Sequence, residues 1–247
     1  MVDIIDLHTH TIASGHAYNT IYEMARSASE RGLSLLGITD HGPAMQIAVP
    51  RNYFNNFKML PRSIYGIHVL FGCELNILNP TGEVDLPEFM LQKLDYGVAS
   101  IHRSIFQNGT PGTLIENTDA YLGAMEQTSV RIIGHPDDRN VPVDFEVLVK
   151  AARDHHILLE VNSESLNPRC AREGTYENNL KMLDLCQRYG VSIVLDSDAH
   201  CEVEVGNHRK SIEMLEKVHF PEELVVNRSL EAAADFLPKL RSLLDEA

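Results

Sequence analysis

Seven apolar, β-branched-rich runs alternate with amphipathic stretches along the chain. The runs are Val2–Leu7, Leu33–Thr39, Ile67–Gly72, Tyr96–Ile101, Val130–Gly134, Ile157–Val161 and Val191–Leu195. Between the first two, Tyr18–Arg31 reads as a helix. Its Ile21, Met24, Ala25 and Ala28 share one face, and Gly32 fits the stop. Further helices are predicted over Thr118–Thr128, Phe145–Asp154, Tyr176–Tyr189, Asn207–Val218 and Ser229–Leu244, with a short one over Pro87–Lys93. Asn52–Ile64 reads as helical or irregular, interrupted at Pro61. Leu75–Leu78 and Glu83–Asp85 flank the turn Asn79-Pro80-Thr81-Gly82, which predicts a hairpin excursion. Apolar runs that alternate with helices predict an α/β fold with a parallel sheet and βα crossovers. There is no fixed-period repeat, low-complexity tract or Gly/Ser linker, so residues 1–247 read as a single domain.

The polar residues that end these runs sharpen the picture. His8 and His10 close the first run, two residues apart and so on one side of an extended chain. His41 follows the second run, Glu74 the third, His102 the fourth, His135 the fifth, and Asp198 and His200 the seventh. In parallel α/β folds these ends share one face, where active sites are built. An open sheet would spread seven strand ends along a line, whereas a barrel gathers them into a bowl. The pattern therefore favours a seven-stranded, TIM-like (βα)7 barrel. A single histidine at a strand end is ordinarily a satisfied polar residue. Six of seven strands ending in His, Glu or Asp is a different observation. With His16 in the first βα loop there are nine candidate ligands. Imidazole and carboxylate suit zinc, manganese or iron. Nine exceeds what one catalytic zinc takes, which implies two or three ions and a bridging carboxylate.

Composition narrows the alternatives. The formal net charge is −14, which weighs against a sequence-independent nucleic-acid partner, since that relies on Lys/Arg clusters. No apolar run is long enough to span a membrane, and no signal-peptide pattern opens the chain, so the expected compartment is the cytoplasm. Cys73, Cys170, Cys186 and Cys201 form no Cys-x-x-Cys pair and read as incidental or buried thiols. His68, His155, His156, His208 and His219 lie inside a strand or on helices and read as structural. No Gly-x-Ser-x-Gly elbow, Walker A loop or Rossmann glycine fingerprint is present. Arg103, Arg139, Arg169 and Arg172 lie near strand ends. Any of them could clamp a phosphate, and Arg103, Arg139 and Arg172 are the substrate-binding candidates.

The set His8-x-His10, His16, Thr39-Asp40-His41-Gly42, Glu74, His102, His135-Pro136 and Asp198-x-His200 resembles the successive motifs of the PHP (polymerase and histidinol phosphatase) superfamily. The stretches Thr11–Tyr18 and Ile38–Pro43 are similar to its YcdX-like phosphatase branch. The resemblance implies a distorted seven-stranded barrel with a trinuclear site, usually of zinc. One ion would take His8, His10, Glu74 and Asp198. A second would take Glu74, His102 and His135, with Glu74 bridging, and a third would take His16, His41 and His200. Arg103 stands where that branch can carry an acidic residue, which bears on substrate preference. The resemblance also raises the expectation of a homotrimer.

The expected activity is hydrolysis of small phosphomonoesters by a hydroxide held at the metal site, with the ions neutralising charge on the phosphoryl oxygens. Asp6 and Asp40 are candidates to orient ligating imidazoles. Two alternatives belong to other classes. One is a phosphodiesterase or exonuclease acting on nucleic acid. The other is a non-catalytic zinc-binding protein.

Overall fold

A computed structural model describes residues 2–47 and 50–246. The strands are β1 (Ile5–Asp6), β2 (Leu35–Ile38), β3 (Ser63–Ile64), β4 (Ile67–Phe71), β5 (Cys73–Asn76), β6 (Gly97–Ser100), β7 (Val130–Ile133), β8 (Leu158–Asn162) and β9 (Ile193–Asp196). The helices are α1 (Ile21–Glu30), α2 (Asn52–Asn55), α3 (Glu88–Leu91), α4 (Leu114–Met125), α5 (Phe145–His155), α6 (Thr175–Tyr189), α7 (Arg209–Val218), α8 (Leu230–Ala234) and α9 (Pro238–Asp245). Among the described residues, no helix is long and apolar enough to cross a membrane.

The strands form two sheets, ordered β1-β2-β4-β3 and β5-β6-β7-β8-β9. All pairs are parallel except β3 with β4. The α/β fold with a parallel sheet is as expected, and its strands are divided between ladders of four and five. The third apolar run forms β4, which pairs with β2, and past Gly72 the chain continues as β5, which pairs with β6. A Cβ at Gly72 would lie 2.6 Å from the Tyr96 carbonyl oxygen, so the close approach that shifts the chain between partners requires glycine. Parallel bridges join the two sheets, Thr9–Ala199 past the ends of β1 and β9, and His41–Glu74 between the chain past β2 and β5.

Alternate residues of the runs face inward. Ile5, Leu7, Leu35, Leu70, Tyr96, Val98, Ile132, Leu158 and Val194 make an inner apolar cluster, and Val226, Ala233, Leu237 and Leu240 pack against it. Space there is tight. A Cβ at Gly37 would lie 1.9 Å from the Tyr96 hydroxyl, which donates to the Leu7 carbonyl. The larger cluster lies between the strands and the outer helices. With the amino-terminal half of the interior filled by apolar side chains, the carboxyl ends of the strands are left to the polar residues.

Helix boundaries follow local chemistry. α1 begins at a capping box made by Thr20 and Glu23, and it buries Met24, Ala25 and Ala28. α4 starts four residues earlier than expected, because Thr113 and Glu116 form a second capping box. The helix expected over Ser229–Leu244 is two helices: α8 stops at Ala234 and α9 restarts with Pro238 in its first turn. Asn52–Ile64 is a short helix, a 3-10 turn and the edge strand β3. The hairpin excursion closes through an Ile77–Val84 antiparallel bridge.

Candidate metal centre

Beyond β1 the chain stays extended to the Thr9–Ala199 bridge, where the His10 N–H donates to the Ala199 carbonyl at 2.9 Å. Alternation along this segment puts both imidazoles on one side, with ring centroids 5.1 Å apart. His135 and Asp198 lie in the positive-φ region, at 27° and 55°. For residues with a Cβ this costs on the order of 1–3 kcal/mol and is held by the surrounding structure. Both are at the ends of strands, where the turn aims their side chains into the bowl.

Glu74, fully buried, sits at the centre. Its Oε1 is 2.9 Å from His135 Nε2 and 3.2 Å from His102 Nε2. Its Oε2 is 3.5 Å from the Nε2 atoms of both His8 and His10, and 2.6 Å from His41 Nδ1. The two oxygens thus face different imidazole sets. Asp198 Oδ1 lies 3.2 Å from His10 Nε2 and 3.8 Å from His8 Nε2. On the outer side, His16 Nε2 is 2.9 Å from His200 Nε2 and 3.3 Å from His41 Nε2. All nine sequence candidates therefore meet in one place. His8 and His10 lie beneath, fully buried, and the other seven line a cleft of about 490 Å³.

The fit to a metal rests on what these atoms lack. His8 Nε2 and His10 Nε2 are buried without a hydrogen-bond partner, and His41 Nδ1 and Glu74 Oε2, though 2.6 Å apart, do not meet in hydrogen-bond geometry and have no other partner. Such groups are costly to leave unmet. Three groups of ligand atoms each lie within 4.8 Å of one another: His10, His41 and His200; His8, His10 and Asp198; and His41, Glu74 and His102.

In five of the seven rings the other nitrogen, Nδ1, is tied down. His8 Nδ1 lies 2.7 Å from Glu160 Oε1, and His102 Nδ1 lies 2.7 Å from Asn76 Oδ1. His10 Nδ1 lies 2.9 Å from Ser14 Oγ, which itself donates to Asp40. His16 Nδ1 meets the Ser14 carbonyl and His200 Nδ1 the Asp198 carbonyl. A partner on Nδ1 fixes the tautomer that presents a lone pair at Nε2. Asp40 thus acts on His10 through Ser14. Asp6 does not hold a ligand ring as expected. Its carboxylate bonds Ser197 and the Gly206 N–H and faces His208.

The electrostatics suit a cation. Burial opposes ionisation of Glu74, yet His102, His41 and His8 hold its carboxyl well below the usual range. Burial likewise opposes Asp198, which His8, His10 and Arg172 hold low. Burial and the neighbouring His200 and His41 push His10 and His16 down, so they stay neutral. His8 goes the other way. Burial lowers it, but Glu160, Glu74 and Asp198 outweigh that and hold it well above its ordinary value.

The arginines part company. Arg172 donates from Nη2 to Asp198 Oδ2 at 3.0 Å and Asn162 Oδ1 at 3.2 Å, and its buried Nε has no partner. Arg103 is about half exposed beside Asp138. Arg139 is exposed and packs its guanidinium over Gly174. Arg169 lines the cleft. Cys73, next to Glu74, faces the outer core, and Cys201 lines the cleft beside His200. Sequence reasoning missed Glu160, Ser14 and Asn76. Glu160 had a readable signal, a charge inside an apolar run.

A PHP domain family model matches residues 6–164. A probable phosphatase from Clostridium novyi is 42% identical over 242 residues, covering 98% of this chain and 97% of that one. Another, from Caldicellulosiruptor saccharolyticus, is 41% identical over 94% of this chain and 95% of its own length. Among solved structures, a histidinol phosphate phosphatase from Lactococcus lactis, complexed with zinc, L-histidinol and phosphate, superposes with a TM-score of 0.64. It is 17% identical, with 90% of this chain and 95% of that one covered, a likeness of fold. The chain belongs to the PHP domain family.

Proposed function

We propose that this chain is a metal-dependent phosphatase acting on small phosphomonoesters at a centre of three ions, with zinc as the resident metal. The observation that carries the reading is the convergence of unpartnered, buried ligand atoms around Glu74. The phosphatase relatives and the zinc of the Lactococcus lactis structure support it. In this reading the two sheets work as one distorted seven-stranded barrel, closed at the Thr9–Ala199 and His41–Glu74 bridges, and the chain is a single PHP domain.

His8, His10, Glu74 and Asp198 would hold one ion; Glu74, His102 and His135 a second; His16, His41 and His200 the third. When bound, the ions supply Lewis acidity, which brings the pKa of water near neutrality and offsets charge on phosphoryl oxygens. The chain's own groups do the rest. Glu74 turns one oxygen to each of two imidazole sets, which suits a bridge. Glu160, Ser14 and Asn76 fix the rings that would otherwise rotate. Arg172 holds Asp198 in place and offsets its charge. The outer imidazoles His16, His102 and His200 and the rim of the cleft meet solvent, which gives an ester its way in.

The test is metal analysis after zinc-replete purification, joined to turnover of 4-nitrophenyl phosphate, bis(4-nitrophenyl) phosphate and a short single-stranded DNA. Two to three zinc ions per chain and a clear monoester preference are expected. Fewer than two ions would overturn the centre. Equal turnover of DNA and monoester would replace this reading with a nuclease.

A further inference from the structure

A second cavity of about 670 Å³ opens beside the candidate metal cleft. His102, His135, Ala171 and Arg172 belong to the walls of both. The volume falls in the range of sites for small organic ligands, roughly 300–1,000 Å³. Ile101, Phe106, Tyr121 and Val141 give it a buried apolar lining. A group held at the ligand cluster through its phosphate can therefore extend an organic body into this space.

The polar contribution is uneven. Arg172 bonds Asp198 and Asn162 through Nη2 and is held against the metal-cluster carboxylate, although its buried Nε has no partner. Asp138 Oδ1 accepts from the Asn140 N–H, the Asn140 side chain and the Glu173 N–H at 3.0, 3.2 and 3.2 Å. Arg103 is different. Its Nε lies 3.5 Å from Asp138 Oδ2 and its Nη2 3.5 Å from the Ala171 carbonyl, both at the outer limit of a hydrogen bond. The side chain is 52% exposed. It is a cation with donors to spare, at the rim of an apolar cavity, in a chain of net charge −14.

We propose that this cavity receives the alcohol portion of the substrate and that Arg103 recognises a second anionic group on it. The substrate class is then a phosphomonoester with an apolar body and a distal carboxylate or phosphate. The inference rests on the phosphatase reading. A carboxylate at ordinary length makes two parallel bonds with a guanidinium and displaces the long contact to Asp138.

The test compares kcat/KM for matched aryl esters: phenyl phosphate against 4-carboxyphenyl phosphate and 1,4-phenylene bisphosphate. One added anion should raise kcat/KM about tenfold, through KM, and the better of the two anionic esters names the second group. Arg103→Gln should bring the ratio close to one. Arg103→Glu should instead favour tyramine phosphate over 4-ethylphenyl phosphate. Asn140→Trp, at an exposed position on the cavity wall, should lower kcat/KM for all the aryl esters, the larger anionic ones most. A separate reading is saturable NMR binding of 4-hydroxybenzoate, lost in Arg103→Gln. A wild-type ratio near one, a ratio indifferent to Arg103, or a wild-type preference for tyramine phosphate overturns the proposal. If no ester turns over while Arg103-dependent binding persists, the phosphatase reading and the ester substrate class fail, and the recognition of an anion by Arg103 in this cavity stands. If neither is seen, both fail.

Discussion

Two buried histidine–carboxylate clusters in this molecule behave in opposite ways. At one, His208 Nδ1 lies 2.8 Å from Asp3 Oδ2, and its Nε2 faces Asp6 Oδ1 at 3.7 Å. Burial works against the charge, but the two carboxylates hold the imidazole up to about 10. At the other, seven imidazoles surround Glu74 and Asp198, and His10 and His16 are pushed down. The difference is one of stoichiometry. Where carboxylates outnumber imidazoles, the histidine is itself the cation. Where imidazoles outnumber carboxylates, lone pairs converge and the positive charge must come from outside. His8, facing three carboxylates, is the member of the large cluster that most resembles His208.

That contrast can be broken most severely at Glu74. Glu74→Gln keeps the size and removes the charge shared by both imidazole sets. Turnover of 4-nitrophenyl phosphate should fall about 1,000-fold, and metal content should drop below that of the wild type by elemental analysis. Wild-type metal content in this variant would sink the bridging role. Next in size is Glu160→Gln, which loosens His8 without touching Nε2. A fall of about 10–100-fold in metal affinity or activity is expected, with unchanged circular dichroism. Chelation comes third. Because metal binds the folded chain and not the unfolded one, EDTA should lower the melting temperature of the wild type, and much less that of Glu74→Gln. Equal shifts in the two proteins would remove the link between Glu74 and the ions.

The effect at His208 is on stability and leaves activity aside. A raised folded-state pKa gives stability that is fully present below the unfolded value, about 6.5, and lost as pH rises through about 10. Urea unfolding between these limits should show wild-type stability falling with pH relative to His208→Gln, while metal content stays at the wild-type level. A parallel pH dependence in both proteins would show that His208 is not charged in the fold.

The sequence made the bowl legible because each parallel run is apolar and stops at a ligand-type residue. It could not show where those runs change partners. The break at Gly72 depends on the Tyr96 backbone, and that approach has no local signature. Two misplaced boundaries were readable in principle. Thr113-x-x-Glu116 is a capping box, and Pro238 sits inside what was read as one helix. At the site, the nine candidates were visible as residue types, whereas their supports were not. Glu160 stood out as a charge in a buried strand, but its partner His8 is 152 residues away. Arg172 looked free in sequence and is bound to Asp198, 26 residues on.

The bridge between Thr9 and Ala199 also sets a schedule for biosynthesis. Synthesis runs from the amino terminus, so His8 and His10 emerge early and wait for Asp198 and His200. Until the last parallel strand is made, β1 presents an open edge, and the half-built bowl offers imidazoles in partial sets. Long-separated pairings of this kind fold slowly and expose surface that associates. Nascent chains stalled before residue 191 should therefore be the aggregation-prone and metal-scavenging species, and the completed chain the one that closes around its ions.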